Sequence, residues 1–254
     1  MKKVFKALVA GAFLMSASAA WATPSTTFWT PATAYVQPFG IPHLTYDTYF
    51  GEPGAFPIDT GITIGVLPFE KLQAEVGFDL FYPGKGKSVV WFNGKLGVPE
   101  GALAPWAPGL SAGIMGVGLE TDVSNWNMLH VNLQKTFPYV GTLVAGGYYG
   151  LNDKLFVDAS GNKQQVGFLG GWQSPDIVIG LTGLNKINLA ADIQTGKNAF
   201  GAVGGGVYFY FTPAIDVLTG PVFFFESAKQ PGNASWLWTV QLDVDFDLSA
   251  PKKQ

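Results

Sequence analysis

From Trp236 to Leu248 the chain alternates. Trp236, Trp238, Val240, Leu242, Val244, Phe246 and Leu248 share one parity, and Leu237, Thr239, Gln241, Asp243, Asp245 and Asp247 share the other. Successive side chains of a β-strand point to opposite faces, so this spacing predicts a strand with one apolar face and one wet face. A helix at 3.6 residues per turn would scatter both sets around its circumference. The three aspartates on the second face need water or partners, because a buried, unpaired carboxylate is costly.

The same arithmetic recurs upstream. Leu72, Ala74, Val76, Phe78, Leu80 and Tyr82 oppose Gln73, Glu75, Gly77 and Asp79; Leu129, Val131 and Leu133 oppose His130, Asn132 and Gln134. Ile187, Leu189, Ala191 and Ile193 oppose Lys186, Asn188, Asp192 and Gln194. Weaker alternation runs through 58–68, 89–98, 109–118, 141–149, 165–173, 201–212 and 215–225, and a proline-interrupted first strand falls within 33–50. This gives an all-β chain of about twelve strands, with ten to fourteen as the range.

The connections carry a second pattern. Pro68-Phe69-Glu70-Lys71, Phe137-Pro138-Tyr139-Val140 and Thr212-Pro213-Ala214 read as tight turns on one side, each beside an aromatic. Pro83 to Ser88, Gly150 to Gln164 and Glu226 to Ser235 read as polar loops on the other. Gly97 to Pro108 and Ser174 to Asn185 are long for the turn side, and the second has room for a short extra strand. Aromatic residues gather near strand ends, as at Tyr82, Tyr148, Trp236 and Trp238.

Lys2, Lys3 and Lys6, the apolar run Ala7 to Met15 and the tripeptide Ala20-Trp21-Ala22 read as a cleaved export signal over residues 1–22. That run is too short to span a bilayer, which takes about 20 apolar residues as a helix. Residues 23–254 then form one domain, with no linker or low-complexity tract to divide them. No later segment is long and apolar enough for a transmembrane helix, so membrane entry would require a barrel. The chain has no cysteine, and all 15 of its basic residues are lysines. Removal of the signal leaves 12 basic against 18 acidic residues, a balance of −6 that gives no reason to expect nucleic acid.

The signal, the dyad repeats and the closing strand Trp238-Thr-Val-Gln-Leu-Asp-Val-Asp-Phe246 resemble porin-type outer-membrane barrel proteins of Gram-negative bacteria, small uncharacterised ones included. The resemblance covers nearly all of the mature chain and is one of pattern. It implies a transmembrane antiparallel up-and-down β-barrel in the outer membrane, with lipid and the barrel assembly machinery as partners. Such proteins commonly end on a terminal aromatic, whereas here Leu248 and the polar tail Ser249 to Gln254 follow Phe246. Family members often line their pores with arginine; this chain has none. The structural rival is a soluble periplasmic β-barrel or sandwich with its apolar face turned inward.

If the apolar face meets lipid, the strand phases assign a lumen set. It comprises Glu75, Asp79, Asn93, Lys95, His130, Asn132, Gln134, Asn188, Asp192, Gln194, Gln241, Asp243, Asp245 and Asp247, joined by His43 and Asp47 from the first strand. Acids dominate, so a pore would favour small cationic solutes. The alternative is a structural or surface-interaction barrel whose lumen these groups fill by pairing with one another. Only His43 and His130 could act as ordinary general bases, and neither belongs to a G-x-S-x-G or H-E-x-x-H motif, so no enzyme and no cofactor is expected. Asp243, Asp245 and Asp247 stand nearly 7 Å apart in sequence order at about 3.3 Å per residue, too spread to share one metal ion. Gly201 and Gly204 to Gly206 lack a following G-K-[ST], and read as places of close approach inside the barrel.

Overall fold

The computed structural model describes residues 28–51, 57–82 and 90–246. The export signal over residues 1–22, the whole loop at Pro83 to Ser88, and Asp247 lie outside the described residues. Thirteen strands follow in order: β1 Pro42–Gly51, β2 Ile58–Gly65, β3 Gln73–Tyr82, β4 Val90–Val98, β5 Gly109–Gly118, β6 Met128–Phe137, β7 Gly141–Gly150, β8 Val166–Gln173, β9 Ile177–Leu181, β10 Leu184–Gln194, β11 Ala202–Thr212, β12 Ile215–Phe224 and β13 Trp236–Asp245. Consecutive strands pair antiparallel except β8 and β9, which both pair with β10, and β1 pairs with β13 from His43 opposite Asp245 to Gly51 opposite Leu237. That seam closes the sheet on itself and removes its edges.

The closed barrel has twelve staves. Strand β10 pairs with β8 through Ala190 to Gln194 and with β9 through Leu184 to Ile187, so β8 and β9 lie end to end along one stave. The break falls at Ser174-Pro175-Asp176, where proline cannot donate to the ladder. Strand β9 has no other partner, and with β10 it extends as a hairpin turned at Thr182-Gly183, with Gly183 at φ +84. The short extra strand expected between 174 and 185 is this one.

Burial alternates as the sequence does. In β13 the even positions are mostly exposed and Leu237, Thr239, Gln241, Asp243 and Asp245 are buried. In β6, Leu129, Val131 and Leu133 face out while Met128, His130 and Asn132 are buried. The exterior is therefore a continuous apolar band, with Val76, Leu96, Val131, Leu133, Leu189 and Val240 near its middle. Exposed aromatics ring its two ends: Phe50, Tyr82, Tyr149 and Trp236 at the loop end, Phe69, Trp106, Tyr139 and Phe211 at the turn end. An apolar exterior of this extent around a polar interior is the arrangement of a transmembrane β-barrel.

One sequence expectation is narrowed and one is corrected: the first strand expected within 33–50 takes only the second half of that range. The segment 33–41 is no part of the first strand. It belongs to a stretch, residues 28–41, that runs down the inside of the barrel before Pro42 opens β1. Pro31, Pro38 and Pro42 explain the division, because each removes a ladder donor and Pro42 is tolerated only as a strand's first residue. Tyr148 is also not an interfacial aromatic: it is 4% exposed and points inward, since it shares parity with Gly146 and Gly150.

Candidate functional site

The inner stretch, here called the strap, descends from the loop end to the turn end. Its fourteen residues, at no more than about 3.6 Å each, are long enough to cross a hydrocarbon layer of about 30 Å. Each step is held by a lumen side chain. At the top, Asp192 Oδ2 accepts from the Trp29 and Thr30 backbone N–H groups, both at 2.9 Å, and from the Thr30 hydroxyl at 3.0 Å. Gln241 Nε2 donates to the Phe28 carbonyl at 2.7 Å. Lower down, Asn132 Nδ2 donates to the Pro31 carbonyl at 2.7 Å, and Gln134 Oε1 accepts from Ala34 N at 3.0 Å and from the Thr33 hydroxyl at 3.1 Å. Near the bottom, Gln37 gives its backbone N–H to Glu75 Oε2 and its side-chain amide to Asp245 Oδ1, both at 2.6 Å.

This accounts for backbone groups that no sheet partner satisfies. A strap lying along the axis of a barrel has no ladder, and buried N–H and C=O groups left unpaired cost free energy. The strap packs as well as bonds. Phe28 joins Tyr208, Tyr210, Ala190 and Leu218; Ala32 joins Met128, Tyr148, Phe156 and Leu169; Trp29 packs on Tyr49, Val222, Phe224 and Leu237. Every apolar cluster inside the barrel thus includes or touches a strap residue. Glycines make the room: a Cβ at Gly206 would lie 2.9 Å from the Phe28 ring and 2.0 Å from the Thr219 carbonyl, and one at Gly97 would lie 2.6 Å from Val36.

Two ion-paired sets lie in the lumen. Lys95 Nζ meets Glu75 Oε1 at 3.1 Å, both nearly fully buried. His43 lies between two acids, Nε2 at 3.2 Å from Asp243 and Nδ1 at 2.9 Å from Asp245. Asn93 donates to Asp79 and accepts from Gly116 N at 2.9 Å, while the Thr45 hydroxyl donates to Asp47 at 2.7 Å. A polar cavity of about 70 Å³ opens among His43, Asp47, Asp59, Glu75, Asp79, Lys95, His130 and Asp243. Among the described residues, no group of three or more side chains is arranged to hold a metal ion.

Above the strap the lumen changes character. A cavity of about 420 Å³ lies at the loop end, walled by Trp29, Tyr49, Phe81, Trp91, Met115, Trp126, Met128 and Phe200. Its rings run as a chain of contacts: Phe81 to Trp91 at 5.4 Å between centroids, Trp91 to Trp126 at 4.5 Å, Trp126 to Phe200 at 4.2 Å. Asp59 lines both this cavity and the polar one below it.

Of the phase-assigned residues, Glu75, Lys95, His130, Asn132, Asn188, Asp192, Gln194, Gln241, Asp243 and Asp245 are buried inside the barrel, as are His43 and Asp47. Asp79 and Asn93 line the polar cavity, and Gln134 holds the strap. The structure brings only part of the set to one cavity; Asn188 instead binds Ser174 and Asp176 near the turn end. Sequence reasoning missed Asp59 and Asp216 on weakly alternating strands, although Asp216 is fully buried. It missed Trp91 too, whose parity with Asn93 and Lys95 was the available signal.

No family model matches the chain, and no curated protein matches it. Solved structures align with most of the chain. An outer-membrane channel from Pseudomonas putida F1 aligns over 85% of this chain and 99% of its own at 12% identity, with a TM-score of 0.46. The NanC porin aligns over 81% and 100% at 9% identity with a TM-score of 0.49, and OmpF of Salmonella typhi over 81% and 96% at 10% identity with a TM-score of 0.34. The likeness is to porin-type barrels. At these identities and scores it says nothing about solute or site.

Proposed function

We propose that the protein is an outer-membrane channel for passive passage of small, preferentially cationic solutes, formed by residues 23–254 after removal of the signal at 1–22. The observation that carries this reading is the polar cavity beside the strap, where Asp47, Asp59, Glu75, Asp79 and Asp243 face Lys95, His43 and His130. Carboxylates in excess inside low-dielectric walls focus the field and raise the local cation concentration. The cavity's 70 Å³ corresponds to about two waters at roughly 30 Å³ each, so a narrow path and a small conductance are expected. The inward-facing lumen residues act here as pore lining, with no catalytic role and no cofactor. Outer-membrane lipid and the barrel assembly machinery are its partners.

A second reading has its own observation. The strap occupies the lumen and uses Asp192, Asn132, Gln134, Glu75 and Asp245 as fastenings, which favours a structural or surface-interaction barrel with a filled lumen. Single-channel recording of the refolded mature chain in planar bilayers, with reversal potential under a salt gradient, separates the two. Cation-selective steps that lose their preference in Asp243→Lys with Asp245→Lys are the expected result. Silence from a folded, bilayer-inserted protein would leave the filled barrel standing.

A further inference from the structure

The loop-end cavity has features that neither passive conduction nor strap anchoring uses. It is about 420 Å³, within the range of roughly 300–1,000 Å³ common to small-molecule sites. Its wall is aromatic on several sides: the Phe81–Trp91–Trp126–Phe200 chain forms one part, and Trp29, set edge-on to Tyr49 at 5.4 Å, forms another. Trp29 is fixed there by its backbone bond to Asp192 and by its indole N–H, which donates to the Phe200 carbonyl at 3.1 Å. The rings are therefore held in place before any ligand arrives.

The charges at the cavity are unequal. Asp59 is an inward acid of β2, and its Oδ1 is buried without a hydrogen-bond partner. Asp122, at the rim, is already held by Lys154 at 2.6 Å, and Lys229 comes from the loop between β12 and β13. Ring faces attract cations through their quadrupoles, and desolvation strengthens that attraction. A partnerless carboxylate oxygen behind such rings adds charge complementarity for one kind of guest.

We infer that this chamber binds a small organic cation carrying an aromatic ring, with the ring against Trp91, Trp126 and Phe200 and the cationic group directed to Asp59. The inference rests on the cation-passing reading and names a solute class for it. A ring alone would leave the Asp59 oxygen unpaired, and an ammonium ion alone would leave the apolar wall uncovered.

The test is equilibrium binding to the full mature chain in nanodiscs, read by tryptophan fluorescence and calorimetry, so that it needs no conduction. Three probes dissect the site: benzylammonium, whose N–H groups can reach the Asp59 oxygen, its neutral relative benzyl alcohol, and methylammonium, which lacks the ring. Saturable binding of the first, at least tenfold tighter than either of the others, is expected. Asp59→Asn should lower its affinity about tenfold and bring it close to benzyl alcohol, and Trp126→Phe should weaken it less than Trp126→Ala. Equal binding of the three probes by the unmodified protein, no saturable binding of any, or a full preference retained in Asp59→Asn would each overturn the inference. Silence in bilayers alongside tight, cation-dependent binding would instead remove the channel and keep the site.

Discussion

One lumen contains two regions built by opposite means. Around the strap, polar side chains bond to backbone, glycines admit close contact, and only a polar cavity of about 70 Å³ is left open. At the loop end, aromatic side chains stack on one another and leave a cavity. The strap region behaves as a protein core fastened by polar side chains, though Asn132, Asp243 and Asp245 each keep one buried oxygen without a hydrogen-bond partner, whereas the chamber behaves as a preformed binding surface. The difference teaches that an alternating strand can serve either purpose with the same inward parity, and that the residue type at each inward position decides which.

Stability measurements should separate the regions. The largest effect is expected for Lys95→Met, which strands the buried Glu75 carboxylate beside the strap; loss of one partner of a buried pair costs about 3–5 kcal/mol. Urea unfolding in lipid should show it, and a loss under 1 kcal/mol would mean that water reaches Glu75. Next comes Gly206→Ala, whose new Cβ would meet the Thr219 carbonyl and the Phe28 ring. Overpacking of this kind costs about 1–3 kcal/mol and should also loosen the strap, seen as faster proteolysis or hydrogen exchange near Phe28.

Trp126→Ala tests the other region. Its ring lines the cavity on one side and packs against the Ala32–Met128 cluster on the other, so the loss should fall below the 3–5 kcal/mol of a fully packed tryptophan, at about 1–2 kcal/mol. A larger loss would make the chamber part of the structural core and erase the contrast. The smallest effect is expected in the exposed loops. Lys154 and Lys163 hold the Asp122 and Asp153 carboxyls below their ordinary range. Lowered acid pKa values mean that any stabilisation is present at neutral pH and is lost only as the pH falls through the folded values, below about 3.8. Exchange of either lysine for glutamine should leave the unfolding midpoint unchanged at pH 7.

Much of the barrel was legible in the chain. The apolar face from Trp236 to Phe246 and the clean alternation of β3, β6 and β10 follow from a period of two, a local property of backbone geometry. The turn prolines and the polar loops are local signals as well. So was the inward set at Glu75, Lys95, His130, Asp192 and Asp243, because parity within one strand fixes which side chains travel together.

Tertiary structure alone decided how that set is used. Nothing local to Phe28 through Ile41 says that this stretch lies inside the barrel; its prolines say only that it makes a poor strand. Its place follows from partners more than one hundred residues away, such as Asp192 with Thr30 and Gln241 with Phe28. The chamber likewise depends on Trp29, Trp91, Trp126 and Phe200 meeting across four separate segments. Sequence periodicity determines which way a side chain faces, but closure of the sheet determines what it faces, and that is a sum of long-range contacts that no window of the chain contains.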